Sequence, residues 1–160
     1  QVVADFTKPL PFRDATINIA LLSNVLEHIP TPDLLLKECY RIIKPGGKLL
    51  GVVPFLIKVH QEPYDFLRYT NFMLEKMFKD AGFQVVSIEA LGRPADLFLT
   101  IQRRFFAHLF STPLKRKERF FVRLVMKIAW FTNKFFYSLY FKALPSYKFT
   151  EGYGFFVRKA

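Results

Sequence analysis

Cysteine is almost absent: Cys39 is the only one in 160 residues, so no intrachain disulfide can form. The three histidines, His28, His60 and His108, are scattered, and no Cys/His group has metal-ligand spacing, so no metal is expected. No uncharged apolar run approaches the roughly 18 residues a membrane span needs. The chain opens Gln-Val-Val-Ala-Asp, with neither a basic flank nor a starting Met. No signal peptide is expected from it, and the start reads as a cut in a longer protein. Acidic residues are missing from one region only. Residues 97–150 hold 11 Lys/Arg against Glu118 alone, whereas residues 1–96 hold 11 of each sign. Of the net charge of +11, +10 therefore belongs to a basic insert on a neutral body, and residues 151–160 add the last +1.

What is present is a hydrophobic content of 51% on a chain long enough for a sizeable core. Two short apolar runs, Ile17–Leu22 and Leu49–Val53, suit parallel strands covered on both faces. Between them, Thr31 can cap a helix with Pro32 at its first position and Asp33 in its first turn. Leu35, Leu36, Cys39, Ile42 and Ile43 fall on one helical face, and Cys39 reads as a buried thiol. Pro45-Gly46-Gly47 ends the helix. This is a βαβ unit with a right-handed crossover. Ligands of such sheets bind beyond the carboxyl ends of the strands, here Ser23–His28 and Pro54-Phe55.

The ordered series L-P-F-R-D, S-N-V-L-E-H-I-P and K-E-C-Y-R-I-I-K-P-G-G-K-L-L, with a trailing A-G-F, resembles the latter half of class I S-adenosylmethionine-dependent methyltransferases of the type 11 group. The resemblance covers residues 1–92, with an echo at 152–160. It implies a partial Rossmann-like α/β sheet, its last strands parallel plus an antiparallel closing strand. It implies S-adenosylmethionine as cofactor, with adenine near Asp5 and Phe6 and the methionine part near Ser23, Asn24, Val25 and His28. By spacing alone Asp5 could equally cap the next turn; the Asp5…Leu10-Pro11-Phe12 pattern favours the cofactor. Asn18 departs from the family, where an Asp is usual. The family's glycine-rich turn after an early strand is missing, because the only glycine pair is Gly46-Gly47. The chain alone is therefore expected to hold one wall of the cofactor site and to be inactive by itself.

Val2 and Val3 read as the end of a strand, and Phe12 as a core plug. The stretch P-F-L-I-K-V-H-Q-E-P-Y-D-F-L-R-Y-T crowds His60, Glu62, Tyr64, Asp65, Arg68 and Tyr69 beyond the second strand. An H-x-x-P-x-D-F-x-R-Y-T string of this kind occurs in a subset of the family. His60, Tyr64, Arg68 and Tyr69 are the substrate-side candidates. His60, Asp65 and His28 are the candidates for proton transfer. Against this, Asp65 and Arg68 stand three apart and suit a local ion pair, and His28 suits a role orienting its loop. Thr70 caps a helix through Ala81 whose apolar face is Phe72, Met73, Met77, Phe78 and Ala81, ended by Gly82. Phe83–Leu91 is the next strand.

The organisation expected is a core half at 1–95, a helical insert at 96–150 and a closing strand at 151–160. The insert reads as two helices, about 96–110 and 117–143. The first carries Leu97, Phe98, Ile101, Phe105 and Leu109 on one side. The second carries Phe120, Phe121, Leu124, Ile128, Phe131, Phe135 and Leu139, with Trp130 nearby. A lid or packing element is the leading reading. Peripheral contact of 97–144 with an anionic membrane surface is the next, and a nucleic-acid platform, without any motif for it, the last. The function expected is methyl transfer to a small or lipid-linked acceptor, in a cytoplasmic protein that can sit at the inner membrane surface. The alternative is a non-catalytic basic module that docks to a membrane or partner. Nothing in the sequence fixes an oligomeric state.

Overall fold

In the computed structural model, which describes residues 2–111, 115–139 and 148–160, the run from Thr16 to Pro54 does form strand, helix, strand. Strand β1 is Ile17–Ser23, helix α1 is Pro32–Ile42 and strand β2 is Ile43–Pro54. Pro32 opens α1, and Leu35, Leu36, Cys39 and Ile42 are its buried residues, at the spacing of one helical stripe. Thr31 stands at the N-cap, but its hydroxyl makes no capping bond. Ile43, expected on the helix face, is already extended and begins β2. The Pro45-Gly46-Gly47 turn is absorbed into β2 as an irregularity: pairing jumps from Ile17–Ile43 to Ile19–Lys48.

Helix α2, Asn71–Asp80, follows β2, and its N-cap Thr70 accepts a hydrogen bond from the Met73 N–H at 3.2 Å. Strand β3 is Phe83–Leu91, and β4, Gly152–Lys159, closes the sheet. The strand order is β1-β2-β4-β3. β1 and β2 are parallel, and β4 runs antiparallel to both its neighbours. This is the mixed, Rossmann-like α/β arrangement expected.

One core unites α1, α2 and a single face of the sheet. Leu35, Leu36, Cys39, Leu74, Met77 and Phe78 share it with Leu22, Leu49, Val53, Tyr153, Phe155 and Val157. Burial of a leucine or phenylalanine there contributes about 2–3 kcal/mol of transfer free energy. The Cys39 thiol is held out of water, and this burial pushes its pKa up to about 12. Both crossover helices lie on that face, so the two-sided cover suggested by the apolar runs is not what the described residues provide. Ile19 and Leu21, on the other face, are 60% and 70% exposed. In α2 the stripe is Leu74, Met77 and Phe78, while Phe72 and Met73 point outward. Val2 and Val3 are exposed and form no strand, since no described strand pairs with them.

The loop before β1 is tied to α1 by polar groups. Glu38 accepts the Leu10 N–H at 2.8 Å and forms a two-pronged pair with Arg41 at 2.9 and 2.7 Å. Arg41 also donates to the carbonyls of Phe12 and Leu10 and to Asp14. The Arg41 fork and the Leu10 N–H together hold the Glu38 carboxyl down at about 2.

The chain divides into two compact units, residues 1–91 with 151–160, and residues 92–150. The second unit holds helices α3, Pro94–Ser111, and α4, Arg116–Leu139. Within it Leu97 is buried, whereas Phe98, Ile101 and Phe105 are exposed. The end expected for the second helix, near Ala143, lies outside the described residues, as do the side chains of Leu109, Trp130, Phe135 and Leu139. No helix among the described residues is long and apolar enough to cross a membrane.

Candidate functional site

The two parallel strands end side by side, and the loops that leave them are sewn together. After β1, Asn24 takes a left-handed conformation with φ of 52°, and its N–H bonds the Val52 carbonyl at 3.0 Å. Asparagine tolerates that conformation better than most residues. The chain then makes a short 3-10 turn, Leu26–His28. After β2, the loop from Phe55 to Thr70 folds back over this turn. The Glu27 carbonyl accepts N–H bonds from Phe66 and Leu67 at 2.9 and 3.2 Å. The Tyr69 hydroxyl donates to the Leu26 carbonyl at 2.8 Å. The Tyr64 carbonyl lies 2.6 Å from His28 Nδ1. A carbonyl can only accept, so His28 carries a proton on Nδ1, and in the neutral ring Nε2 is the lone pair.

Asp65 is the pivot of the second loop. Its carboxylate is 1% exposed and accepts both ends of the Arg68 guanidinium at 2.5 and 2.6 Å. It also accepts the His60 N–H at 2.8 Å. The Arg68 fork holds its pKa far below the usual carboxylate range. A carboxylate so engaged is a poor proton acceptor. The local ion pair is what the spacing suggested, and its effect is to set the backbone of His60. His60 Nδ1 stands 3.1 Å from Asp65 Oδ2 without forming a hydrogen bond.

Folding brings together what linear spacing kept apart. The rings of His28 and His60 are 5.0 Å apart and nearly perpendicular. The Glu27 carboxylate is fully buried between them, with Oε1 3.6 Å from His28 Nε2 and 3.9 Å from His60 Nε2. Neither Glu27 oxygen has a hydrogen-bond partner. Burial raises the Glu27 pKa. The exclusion of a metal group rested on spacing along the chain, and that ground is removed: one ligand atom from each of these three residues falls within 4.8 Å of the others. Nothing in the linear pattern pointed to Glu27, because its partner lies on a loop that only the parallel pairing of β1 and β2 brings near.

The other candidates divide. Tyr64 is exposed beside Phe66, their rings 6.5 Å apart, and remains available to a ligand. Tyr69 is not on a crevice wall: it is 3% exposed and belongs to the core. It precedes the Thr70 cap, and Leu74 lies four residues beyond that cap, the positions of a hydrophobic staple. That signal was legible. Arg68 is committed to Asp65. Asp5 is exposed, and its Oδ1 accepts the Thr7 N–H and hydroxyl at 2.9 and 2.7 Å, which lowers its pKa. Its turn-capping role is therefore real, and Oδ2, 3.4 Å from Lys8 Nζ in an exposed pair, faces solvent where a further donor can reach it.

Do these residues fit S-adenosylmethionine? Ser23, Asn24 and Phe6 are exposed and Val25 is half-buried, so a strand-end wall is open. Gly46, Gly47 and Gly51 lie in β2 and Gly152 in β4, so none of these four stands at a turn from strand to helix where a cofactor's methionine end would need close backbone approach. A Cβ at Gly47, Gly51 or Gly152 would strike the protein's own atoms, and Gly46 lies within the irregular start of β2. The chain fits one side of the cofactor only.

Residues 1–51 match the family described as "Methyltransferase domain". An uncharacterised protein of Methanocaldococcus jannaschii is 33% identical over 95 residues, covering 52% of this chain and 46% of that protein. A demethylmenaquinone methyltransferase of Geobacillus is 33% identical over 72 residues, covering 43% of this chain and 31% of the enzyme. The chain thus spans less than half the length of these curated relatives. Among solved structures, the [4+2]-cyclase SpnF superposes with a TM-score of 0.57 at 18% identity, covering 99% of this chain and 56% of the cyclase. That likeness concerns the fold, and the cyclase shows that this fold does not dictate one reaction.

Proposed function

We propose that this chain, whose residues 1–51 match the methyltransferase family and whose fold is that of class I S-adenosylmethionine-dependent methyltransferases of the type 11 group, carries the acceptor side of an enzyme that methylates a small or lipid-linked molecule. The observation that carries the reading is the convergence of the two strand-end loops on Glu27, His28 and His60, next to the open wall of Ser23, Asn24 and Val25.

S-adenosylmethionine would supply an electrophilic methyl on a sulfonium. Asp5 and Phe6 would meet its adenine, with Asp5 Oδ2 accepting from the amine. The left-handed turn at Asn24 presents that side chain beyond the strand end, where it would bind the methionine portion. Tyr64 and Phe66 would flank the acceptor. Alignment of nucleophile and methyl carbon accounts for most of the acceleration such a site can give. Any proton on the nucleophile would leave toward the Glu27–His28–His60 group, since Asp65 is held by Arg68. The seat for the rest of the cofactor would come from a glycine-rich segment preceding this chain. Titration calorimetry with S-adenosylmethionine tests this: the 160-residue chain alone gives no micromolar binding.

A second reading concerns the insert. On α4, Phe120, Phe121, Leu124, Ile128 and Phe131 are exposed at helical spacing, and Arg119, Arg123 and Lys127 interleave with them. We propose that this face rests on an anionic membrane, which would bring a lipid-linked acceptor to the enzyme. Flotation with phosphatidylserine vesicles at low salt should carry the protein upward, and neutral vesicles should not. Recovery in the bottom fraction with both would rule it out.

A further inference from the structure

We propose that Glu27, His28 and His60 form a binding site for a divalent transition-metal ion. Three observations, independent of one another, lead there. The first is the Glu27 carboxylate, which is 0% exposed while both its oxygens lack a hydrogen-bond partner. A buried carboxylate without donors is costly unless a cation or proton is supplied. Arg68 cannot supply it, because its guanidinium is locked on Asp65.

The second is the direction of the two imidazoles. His28 Nδ1–H is held by the Tyr64 carbonyl. His60 Nδ1 faces the Asp65 carboxylate at 3.1 Å. The Tyr64 carbonyl only accepts, so the neutral His28 ring presents Nε2 as a lone pair; His60 Nδ1 makes no hydrogen bond, but the carboxylate beside it favours the proton on that nitrogen and leaves Nε2 toward Glu27. An oxygen acceptor on the far nitrogen is the usual outer support of a metal-ligating histidine.

The third is distance. The Nε2 atoms stand 3.6 and 3.9 Å from Glu27 Oε1. These gaps are too long for hydrogen bonds. They suit donors that share one ion, since ligands held at about 2.0–2.2 Å stand roughly 3–4 Å apart. The side chains of His28 and His60 are 14% and 24% exposed, so an ion can enter from that side and keep positions open there.

Two imidazoles and one carboxylate favour zinc, iron(II), cobalt(II) or manganese(II) over magnesium or calcium, which prefer all-oxygen sets. The inference rests on the reading above and refines it: a cation here would anchor the acceptor's heteroatom in the crevice, and with the three ligands committed to the ion the acceptor's proton would leave to solvent rather than to them. Its test does not depend on methyl transfer. Chelator-stripped protein is titrated with Co²⁺ and followed by d–d absorption, then with Zn²⁺ by calorimetry. One equivalent should bind, with a visible Co²⁺ band of low-symmetry coordination.

Glu27→Gln and His60→Gln should each weaken Zn²⁺ binding by at least about 100-fold, and Asp65→Asn, acting through His60, by about 10-fold. His108→Gln, in the other compact unit, should leave it unchanged. Circular dichroism checks that each variant folds. If one does not, the wild-type Co²⁺ spectrum and stoichiometry still decide. Absence of a d–d band with less than a tenth of an equivalent bound overturns the proposal. So does binding that Glu27→Gln and His60→Gln leave intact.

Discussion

Gly51→Ala should strongly destabilise the first compact unit. Gly51 lies in the middle of β2, with φ in the ordinary strand range, so its need is for space and not for an unusual backbone. A Cβ built there falls 2.0 Å from the Leu22 carbonyl oxygen and 2.4 Å from the Phe155 ring. The first contact is with the backbone of β1, hydrogen-bonded to β2, and cannot be relieved by a rotamer change. The second is with a core ring that packs on Phe78 at 4.7 Å. Overpacking of a core costs about 1–3 kcal/mol and sometimes more, and the substitution belongs at the upper end. At about 2–4 °C per kcal/mol for a chain of this size, thermal unfolding should fall by around 10 °C. Gly46→Ala is the contrast. Its Cβ meets nothing within 4 Å, and only its φ of +75° resists. It should cost about 1 kcal/mol.

Arg68→Ala should be nearly as damaging and should act on the site itself. It leaves the Asp65 carboxylate buried without its two-pronged partner, a loss of about 3 kcal/mol. The His60 N–H hangs on the same carboxylate, so the loop that carries His60 and Tyr64 loosens with it. Arg68→Lys retains charge but not the planar fork and should recover only part of the stability. The pH dependence has a definite sign. Asp65 is depressed in the folded protein, so its contribution is present above the unfolded carboxylate pKa and is lost as pH falls below it. In the variant a buried, unpaired Asp65 gains by protonation. The gap between wild type and Arg68→Ala should therefore narrow as pH drops below about 4. Glu38 is depressed in both proteins and cancels in the difference. Urea unfolding at a series of pH values measures it.

Much of the fold was legible because periodicity and punctuation agree. Pro32, the stripe through Leu35, Cys39 and Ile42, and the cap at Thr70 each place an element within a residue or two of its observed bounds. The closing strand at Gly152 and the helical character of the insert were legible as well. What misled was hydrophobicity taken without a partner. Ile19 and Leu21 look like residues of a strand buried on both faces, yet both helices pack on one side. Phe72 and Met73 look like core, yet the stripe runs through Leu74. Val2 and Val3 look like a strand, yet a strand exists only as a pair.

The site was legible in its parts and not in its assembly. His28, His60 and the Asp65–Arg68 pair stand out by residue type and spacing. Two things could not be read along the chain. One is that Asp65 serves His60 and not a substrate. The other is that Glu27 lies between two imidazoles 32 positions apart, which depends on the loops after β1 and β2 sharing an edge. The exposed apolar face of the sheet, with Leu21 at 70%, also has no explanation within the described residues. On the proposed reading, a glycine-rich segment would find in that face an apolar surface to pack against.

Calorimetric titration of S-adenosylmethionine into two proteins tests this most directly: the 160-residue chain, and the same chain extended at its N-terminus by the glycine-rich half of a related methyltransferase. The account predicts no micromolar binding by the chain alone, micromolar binding by the extended protein, and about a tenfold weakening by Asn24→Ala in the latter. Micromolar binding by the isolated chain, or binding by the extended protein that Asn24→Ala and Asp5→Ala leave unchanged, would contradict it.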